Sequence, residues 1–253
     1  MKTSRRTFLK IAGTSLLVLG AEPALEVFAG KEVYQPDPKA LQGKRWAMAV
    51  IGKKCPPDCR DCITACHATH NVPDFGNPKD EIKWIWTEPT GHVFPSQENH
   101  YLGEAAAKRS LVVLCNHCEN PPCVRVCPTK ATFKRQDGIV MMDYHRCIGC
   151  RFCMAGCPYG ARSMNFRDPR PFIKKINADF PTRTKGVVEK CNFCAERLAA
   201  GLLPACVEAC KEKALVFGDL ANPQAAIHVL LKNQFTIRRR PELGTQPQVY
   251  YIM

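Results

Sequence analysis

Several features that mark common protein classes are missing from this sequence of 253 residues. After the N-terminal segment there is no run of about 18 apolar residues, so we predict no membrane-spanning helix in the remainder. Aromatic residues are sparse, at 8%, which argues against binding to nucleic acid. We also find no Ser/His/Asp set, no suggestive carboxylate pair, no glycine-rich phosphate loop and no flavin or nicotinamide signature. The chain is therefore not expected to be an enzyme or to have a small-molecule substrate of its own.

Acidic residues are also scarce: 36 Lys and Arg face 23 Asp and Glu, which gives a net charge of +13. A surplus of this size is typical of proteins that bind nucleic acid or an anionic membrane surface. The value of +13 counts every cysteine as neutral. Cysteine, by contrast, is abundant, with 16 residues. The length suits one or two domains with a real core.

Residues 1–29 have the pattern of a twin-arginine export signal. Arg5 and Arg6 precede a short, mildly apolar run, Ile11–Gly20. The alternative is the basic first turn of an amphipathic helix. We expect cleavage before Gly30, and an uncleaved segment would be a marginal anchor. The predicted location is the periplasm or the outer face of the cytoplasmic membrane, as a peripheral protein.

The cysteines fall into four groups of four, and none is left over. The third group has the spacing C-x2-C-x2-C-x3-C and is followed by Pro158, which is the bacterial ferredoxin pattern for [4Fe–4S] clusters. Three thiolates this close on a tight loop can hold three corners of one cluster, and Gly149 would let the backbone approach it. In chain order the groups are Cys55, Cys59, Cys62 and Cys66; Cys115, Cys118, Cys123 and Cys127; Cys147, Cys150, Cys153 and Cys157; Cys191, Cys194, Cys206 and Cys210.

Three other uses of cysteine compete with this interpretation. Structural disulfides suit an exported chain with an even cysteine count, but they rarely place four cysteines so close together. Zinc sites use paired C-x2-C units, which only the fourth group resembles. Haem c needs C-x-x-C-H, and in the one Cys-His pair, Cys66-His67, the upstream Cys62 is one residue too far away. Iron–sulfur ligation is favoured for all four groups.

An internal repeat accompanies the cysteines. Alanine lies four residues after the last cysteine of three groups, at Ala131, Ala161 and Ala214, whereas the first group has His70 there. Asp137-Gly138 predicts a hairpin turn. Together these features predict the layout of a two-cluster ferredoxin, with two strands and a short helix. The strand-like stretches that follow the alanines are Thr132–Lys134, Arg162–Phe166 and Leu215–Phe217.

On these motifs the chain resembles the four-cluster ferredoxin-like subunits that pair with membrane quinone-interacting proteins or molybdenum enzymes. The resemblance implies an α+β fold with two ferredoxin-like lobes, each holding two [4Fe–4S] clusters, together with loop insertions. Residues 111–167 would form the inner lobe, and residues 45–66 with 185–218 a discontinuous outer lobe. Residues 67–110 would be an insertion and residues 219–253 a C-terminal extension.

The same resemblance implies four [4Fe–4S] clusters whose ligands are shared between groups. Each cluster would take the first three cysteines of one group and the last cysteine of another. The implied sets are Cys115, Cys118 and Cys123 with Cys157; Cys147, Cys150 and Cys153 with Cys127; Cys55, Cys59 and Cys62 with Cys210; Cys191, Cys194 and Cys206 with Cys66. Four oxidised clusters and loss of the signal would lower the net charge to about +3.

Longer strings, Phe180–Cys191 and Thr236–Thr245, are similar to the O subunits (DsrO) of DsrMKJOP membrane complexes of dissimilatory sulfur metabolism. This likeness implies an exoplasmic electron-transfer subunit. Its partners would be an integral membrane quinone-interacting subunit, a multihaem cytochrome c subunit and the other subunits of the complex. One alternative is the electron-transfer subunit of a molybdopterin oxidoreductase of the nitrite-, polysulfide- or DMSO-reductase type. Another is a disulfide-stapled binding protein.

Four other segments carry weaker signals. Ile82–Trp86 alternates like a strand, with its tryptophans in the core or, alternatively, at an interface. Asn222-Pro223 predicts the start of a helix that runs to Lys232. Arg238–Arg240 is interpreted as a solvated charge run or a docking patch for an acidic partner. The histidines at 67, 70, 92 and 100 are expected at the surface or hydrogen-bonded in the core, rather than as metal ligands.

Overall fold

The structure is a computed structural model, and it describes residues 37–97, 101, 103–104 and 109–253. The predicted export signal and His100 lie outside this range. Among the described residues, no helix has the length and apolar character needed to cross a bilayer. The strands are β1 Trp46–Ile51, β2 Ile85–Pro89, β3 Ser110–Leu114, β4 Thr132–Lys134, β5 Val140–Met142, β6 Ser163–Met164, β7 Val188–Glu189, β8 Leu215–Asp219 and β9 Val249–Ile252.

Short helices carry many of the cysteines. The helices are α1 Asp61–Thr69, α2 Thr90–Val93, α3 Pro122–Arg125, α4 Phe152–Ala155, α5 Ala195–Ala199, α6 Ala205–Glu208 and α7 Ala226–Asn233. The predicted start of the helix at Asn222-Pro223 is wrong. The Asn222 carboxamide oxygen accepts from the backbone N–H of Gln224 in a turn, and α7 begins only at Ala226.

Strand β1 is central because every one of its residues is apolar and buried. It pairs with β8 antiparallel and with β9 parallel, in the order β8-β1-β9. Met48 and Val50 point into the main core, whereas the small Ala47 and Ala49 pack against Ile227 of α7. The sheet is therefore covered on both faces, which explains the unbroken apolar sequence of β1.

The region after the first cysteine group contributes a second sheet, in which β2 and β3 pair antiparallel from Ile85–Leu114 to Pro89–Ser110. The strand begins three residues later than the alternation of Ile82–Trp86 predicts. Both tryptophans pack in the core as predicted. Trp84 donates from Nε1 to the Glu189 carboxylate at 2.9 Å, so the indole is buried without losing its hydrogen bond.

The predicted hairpin between the second and third cysteine groups is confirmed. Strands β4 and β5 pair antiparallel, and Gly138 takes a φ of 87° at the turn. Strands β6 and β7 pair across the predicted lobe boundary, since β6 belongs to residues 111–167 and β7 to residues 185–218. Residues 38–253 form one compact unit, and one hydrophobic core contains residues of both predicted lobes, such as Cys62 and Cys118.

Candidate metal centres

One group of thiols, site A, combines Cys55, Cys59, Cys62 and Cys210. The four residues line a cavity of about 70 Å³ between α1 and the chain that follows α6. Burial, together with the Cys55, Cys210 and Cys59 thiols, raises the pKa of the Cys62 thiol to about 12. The structure therefore brings together the first three cysteines of the first group and the last cysteine of the fourth.

A second group, site B, combines Cys66 with Cys191, Cys194 and Cys206. All four side chains are buried. Burial and the three neighbouring thiols of the fourth group raise the pKa of Cys66 well above its ordinary value. Cys66 lies on α1, which packs against α6, the helix that carries Cys206. The packing of two helices thus joins cysteines that are distant in the sequence.

A third group, site C, combines Cys115, Cys118, Cys123 and Cys157. Burial raises the pKa of Cys118 to about 12, with Cys115, Cys123 and Cys157 adding to the effect. Three of these side chains are buried, and Cys157 is half-buried. The polypeptide reaches this geometry because α3 and α4, one from each of the two middle cysteine groups, pack together.

The fourth group, site D, combines Cys127, Cys147, Cys150 and Cys153, which line a small cavity of about 10 Å³. Only Cys153 is fully buried. Burial acts against ionisation of Cys127, but the backbone N–H groups of Thr132, Thr129 and Ala131 and the Thr129 hydroxyl lower its pKa overall. The structure thus gathers all sixteen predicted cysteines into the four sets that the resemblance implies, and their role as ligands stays a prediction.

The sites follow one another in a row. Cys62 of site A lies close enough to Cys66 of site B to raise its pKa, and both are on α1. Cys115 of site C acts in the same way on Cys191 of site B. Cys123 of site C acts on Cys153 of site D. The order along the molecule is therefore A, B, C, D, which neither the spacing nor the sequence repeat had predicted.

A left-handed residue shapes three of the cysteine loops. His117, Gly149 and Phe193 each precede the second cysteine of a C-x2-C pair, and their φ values are 41°, 67° and 54°. This conformation turns the backbone so that two thiols only three residues apart can face the same point. Glycine meets no steric cost there, and the two aromatic residues adopt a conformation that non-glycine residues rarely take.

Gly149 has a further reason to lack a side chain, and it differs from the predicted one. A Cβ at this position would lie 2.3 Å from the carbonyl oxygen of Gly186. The structure therefore shows Gly149 making room for another part of the backbone, and the approach of Gly149 to a cluster stays a prediction. This contact joins the loop of site D to the segment that leads into β7.

The alanine repeat has a structural explanation. Ala214 donates from its backbone N–H to Cys210 Sγ at 3.2 Å, and the N–H groups of Ala131 and Ala161 do the same for Cys127 and Cys157. In each case the residue before the alanine is left-handed: Lys130, Gly160 and Lys213. Such hydrogen bonds stabilise the thiolate form that binds metal.

His70 takes a different role because Cys66 lies within a longer helix. The N–H of His70 continues the helical pattern by donating to the Cys66 carbonyl at 3.0 Å. Its Nδ1 lies 3.6 Å from Cys66 Sγ, and its Nε2 lies 2.8 Å from the Glu196 carboxylate. His70 is 1% exposed, as expected of a hydrogen-bonded core histidine. His70, Cys194 and Glu196 also form a tight group, with ligand atoms within 4.8 Å of one another.

Aromatic rings connect the two middle sites. His117 of the Cys115–Cys118 loop stacks on Phe193 of the Cys191–Cys194 loop, with centroids 3.7 Å apart. Both loops have the pattern Cys-Asn-aromatic-Cys, so the contact relates equivalent residues of the second and fourth groups. Val140 donates its N–H to His117 Nδ1 at 3.1 Å, which leaves the proton on Nε2.

The donor set fits iron–sulfur clusters better than other metals. Each site offers four thiols at its centre, and soft thiolate ligands select such clusters or zinc. The buried Nδ2 of Asn116 and the buried Nε2 of His117 are two donors without a hydrogen-bond partner among the described residues. Both residues lie between Cys115 and Cys118, where the sulfur atoms of a cluster would supply acceptors.

Sequence reasoning missed the buried charged groups around the sites. Arg162 and Lys190 lie among the cysteines of sites B, C and D, and no motif marks them apart from their closeness in sequence to Cys157 and Cys191. The interpretation of Arg238–Arg240 as a solvated charge run is wrong for its middle residue. Arg239 is buried, lies 3.5 Å from the Glu88 carboxylate and packs over Tyr159. Arg238 and Arg240 are half-buried, and a docking role for them stays a prediction.

Comparison with known proteins agrees with this chemistry. A family model for the 4Fe-4S dicluster domain matches residues 109–170 and 173–220, which contain the second, third and fourth cysteine groups. The Hdr-like menaquinol oxidoreductase iron-sulfur subunit 1 of Archaeoglobus fulgidus is 38% identical over 98% of this chain and 97% of its own length. A subunit of the tetrathionate reductase of Salmonella typhimurium is 35% identical over 100% of this chain and 89% of its own length.

The iron-sulfur cluster-binding subunit of the menaquinone reductase of Nitratidesulfovibrio vulgaris is 36% identical over 82% of this chain and 88% of its own length. These relatives are named as subunits, and they cover the chain nearly from end to end. The chain therefore belongs to the family of [4Fe–4S] iron–sulfur subunits that transfer electrons within larger oxidoreductase complexes and are not themselves the catalytic enzymes.

Proposed function

We propose that the protein holds four [4Fe–4S] clusters at sites A, B, C and D and relays electrons along them between two redox partners. The observation that carries this proposal is the row of four thiol sets, each adjacent to the next. Each cluster, when bound, accepts and donates one electron. The cysteines fix the spacing of the clusters, and the surrounding core excludes water from the two middle sites.

Iron and acid-labile sulfide analysis of the anaerobically purified protein tests the number of clusters. Four clusters predict about sixteen iron and sixteen sulfide atoms per chain. Eight irons or fewer would contradict the proposal. A protein without visible absorption near about 400 nm and with its cysteines oxidised would instead favour the disulfide-stapled binding protein.

For the partners, we propose an integral membrane quinone-interacting subunit at one end of the row and a multihaem cytochrome c at the other, in a DsrMKJOP-type complex. Similarity to a menaquinol oxidoreductase subunit and to a menaquinone reductase subunit supports the quinone side. The strings Phe180–Cys191 and Thr236–Thr245 support the O-subunit assignment.

A second candidate function is the electron-transfer subunit of a molybdopterin reductase that acts on a small oxidant. The similarity to the tetrathionate reductase subunit over the whole chain favours it. Affinity purification from the native membrane, with identification of the co-purifying subunits, separates the two. A multihaem cytochrome supports the first function, and a large molybdopterin subunit supports the second.

We also propose that the protein works on the outer face of the cytoplasmic membrane, because Arg5 and Arg6 match a twin-arginine signal. Cell fractionation of the wild type and of the double variant Arg5→Lys/Arg6→Lys tests this. In intact cells the wild type should be protected from added protease, and it should become accessible once the envelope outside the cytoplasmic membrane is permeabilised. The double variant should accumulate in the cytoplasm, and equal export of both would contradict the assignment.

A further inference from the structure

Four arginine and lysine side chains are buried in the described part of the chain, and they differ in their partners, two against two. Arg183 and Arg239 have carboxylate partners, with Arg183 lying 2.6 Å from Glu189 and Arg239 lying 3.5 Å from Glu88. Arg162 and Lys190 have no carboxylate partner among the described residues. Because a buried charge without a counter-charge is strongly unfavourable, these two cations require an anion that the described carboxylates do not supply.

Arg162 reaches the sulfur of a predicted ligand. Its guanidinium donates to Cys123 Sγ at 3.0 Å and to the Thr132 hydroxyl at 2.7 Å. The Thr132 hydroxyl in turn donates to the Met141 carbonyl at 2.9 Å, so its oxygen is oriented to accept from Arg162. Cys153 of site D is also near the guanidinium, which places this charge between sites C and D.

Lys190 is the second buried cation beside site C. Its ammonium donates to the carbonyl oxygens of Val140 and of Cys191, the latter at 2.6 Å. Both acceptors are neutral, so they orient the ammonium without compensating its charge. The Cys115, Cys191 and Cys123 thiols act on its charge, which places this ammonium near both site B and site C.

The surroundings of the other sites differ. Site B has a carboxylate close by, since Glu196 acts on both Cys191 and Cys194. The basic group that acts on Cys55 of site A is Arg109, whose side chain is exposed and therefore screened by solvent. Of the four sites, only site C has both of these cations of the described part of the chain beside it.

A [4Fe–4S] cluster with four thiolates carries a net charge of about −2 when oxidised and about −3 when reduced. A nearby cation that is shielded from water stabilises the more negative state and so raises the reduction potential. We propose that Arg162 and Lys190 are the built-in counter-charges of the cluster at site C and set its reduction potential above that of the cluster at site B. This inference rests on the proposed function, because it requires a cluster at site C.

Redox titration of the anaerobic protein, followed by EPR, tests the proposal with the variants Arg162→Gln and Lys190→Gln. Glutamine keeps a hydrogen-bond donor and removes the charge. We expect the same cluster to become harder to reduce in both variants, with at least a tenfold change in its reduction equilibrium, or 59 mV for one electron. Lys190→Gln should also lower the potential of a second cluster, at site B.

Two control variants separate charge from structure. Arg162→Lys keeps the positive charge and should restore most of the potential. Arg135→Gln removes an exposed charge from the same region, which pairs only with Asp137 at 2.7 Å, and should leave every potential unchanged. Wild-type potentials in both glutamine variants, with a full complement of iron, would overturn the proposal.

The outcome stays distinguishable from failure of the four-cluster assignment, because the iron content of the wild type tests that assignment separately. If the glutamine variants lose iron, their potentials cannot be compared, and pulsed EPR of the wild type tests the contact between Arg162 and the cluster instead. In protein labelled with ¹⁵N-arginine, pulsed EPR of the reduced state should detect a nitrogen coupled to one cluster, and Arg162→Lys should abolish that coupling. Absence of any coupled arginine nitrogen would overturn the contact at site C.

Discussion

The two middle sites, B and C, differ from the end sites, A and D, in how they are enclosed. Site B buries all four of its cysteines and site C three of them, whereas sites A and D each bury only one. The middle sites lie between packed elements, with the His117–Phe193 stack joining them. In each end site one buried cysteine lies on a helix, Cys62 on α1 and Cys153 on α4, and the three half-buried cysteines lie outside the helices.

This difference matches two tasks that a relay must perform. In the proposed relay, a middle cluster would exchange electrons only with other clusters, so burial would not hinder it and would protect it from water and oxidants. An end cluster would have to approach a partner, and partial exposure of its cysteines would allow that approach. The same sequence motif would then serve two purposes, according to its tertiary environment.

The largest expected effect distinguishes a middle cysteine from an end cysteine. Cys66→Ser removes a fully buried ligand from the helix shared by sites A and B, so we expect loss of folded, iron-containing protein. Cys150→Ser alters the half-buried rim of site D and should cost about a quarter of the iron while the rest persists. Iron analysis and yield of soluble protein measure both. Equal losses in the two variants would contradict the comparison.

A second prediction compares ion pairs. Arg183 and Glu189 are fully buried, and Arg183 also donates to the His70 and Asn71 carbonyls beside site B. Arg183→Met should lower the free energy of unfolding by about 3–5 kcal/mol, because it leaves Glu189 charged and buried. The matched control, Arg146→Met near site D, breaks an exposed pair with Asp143 and should cost below about 1 kcal/mol. Anaerobic denaturant unfolding measures both, and similar losses would refute the prediction.

A smaller effect is expected from two glycines with the same left-handed backbone. Gly149→Ala at site D should destabilise the protein by about 1–3 kcal/mol, because the new Cβ would meet the Gly186 carbonyl. Gly160→Ala at site C has open space around the new Cβ and should cost only about 1 kcal/mol. Thermal unfolding of the two variants under anaerobic conditions shows which substitution lowers the stability more. The prediction fails if Gly160→Ala is the more damaging.

The smallest expected effect concerns the rate at which the end and middle sites lose iron. During slow oxidation of the wild type with ferricyanide, about half of the iron should be lost several-fold faster than the rest, since sites A and D are the more exposed. Iron release and the remaining EPR signals follow the course of the reaction. A single phase of iron loss would mean that exposure of the cysteines does not control access to the clusters.

Local features were predictable from the sequence, and long-range ones were not. The Asp137-Gly138 hairpin and strand β4 were found where turn chemistry and β propensity place them. The grouping of Cys66 with the fourth cysteine group came from family resemblance, because spacing alone does not show which helices pack. The parallel pairing of β1 with β9 and the burial of Arg239 depend on tertiary contacts. The late start of α7 shows an asparagine side chain stabilising a turn where a helix cap was expected.

The interleaving of the cysteine groups imposes an order on the biogenesis of the protein. Sites C and D draw all their cysteines from residues 115–157, so their ligands emerge from the ribosome together and can be captured early. Sites A and B each need cysteines from both α1 and the segment that ends at Cys210, and the central strand β1 receives its partner β9 later still. Closing such long loops is slow. We therefore expect the half of the proposed relay that needs Cys55–Cys66 to mature last, and a folding defect anywhere downstream to leave it without iron.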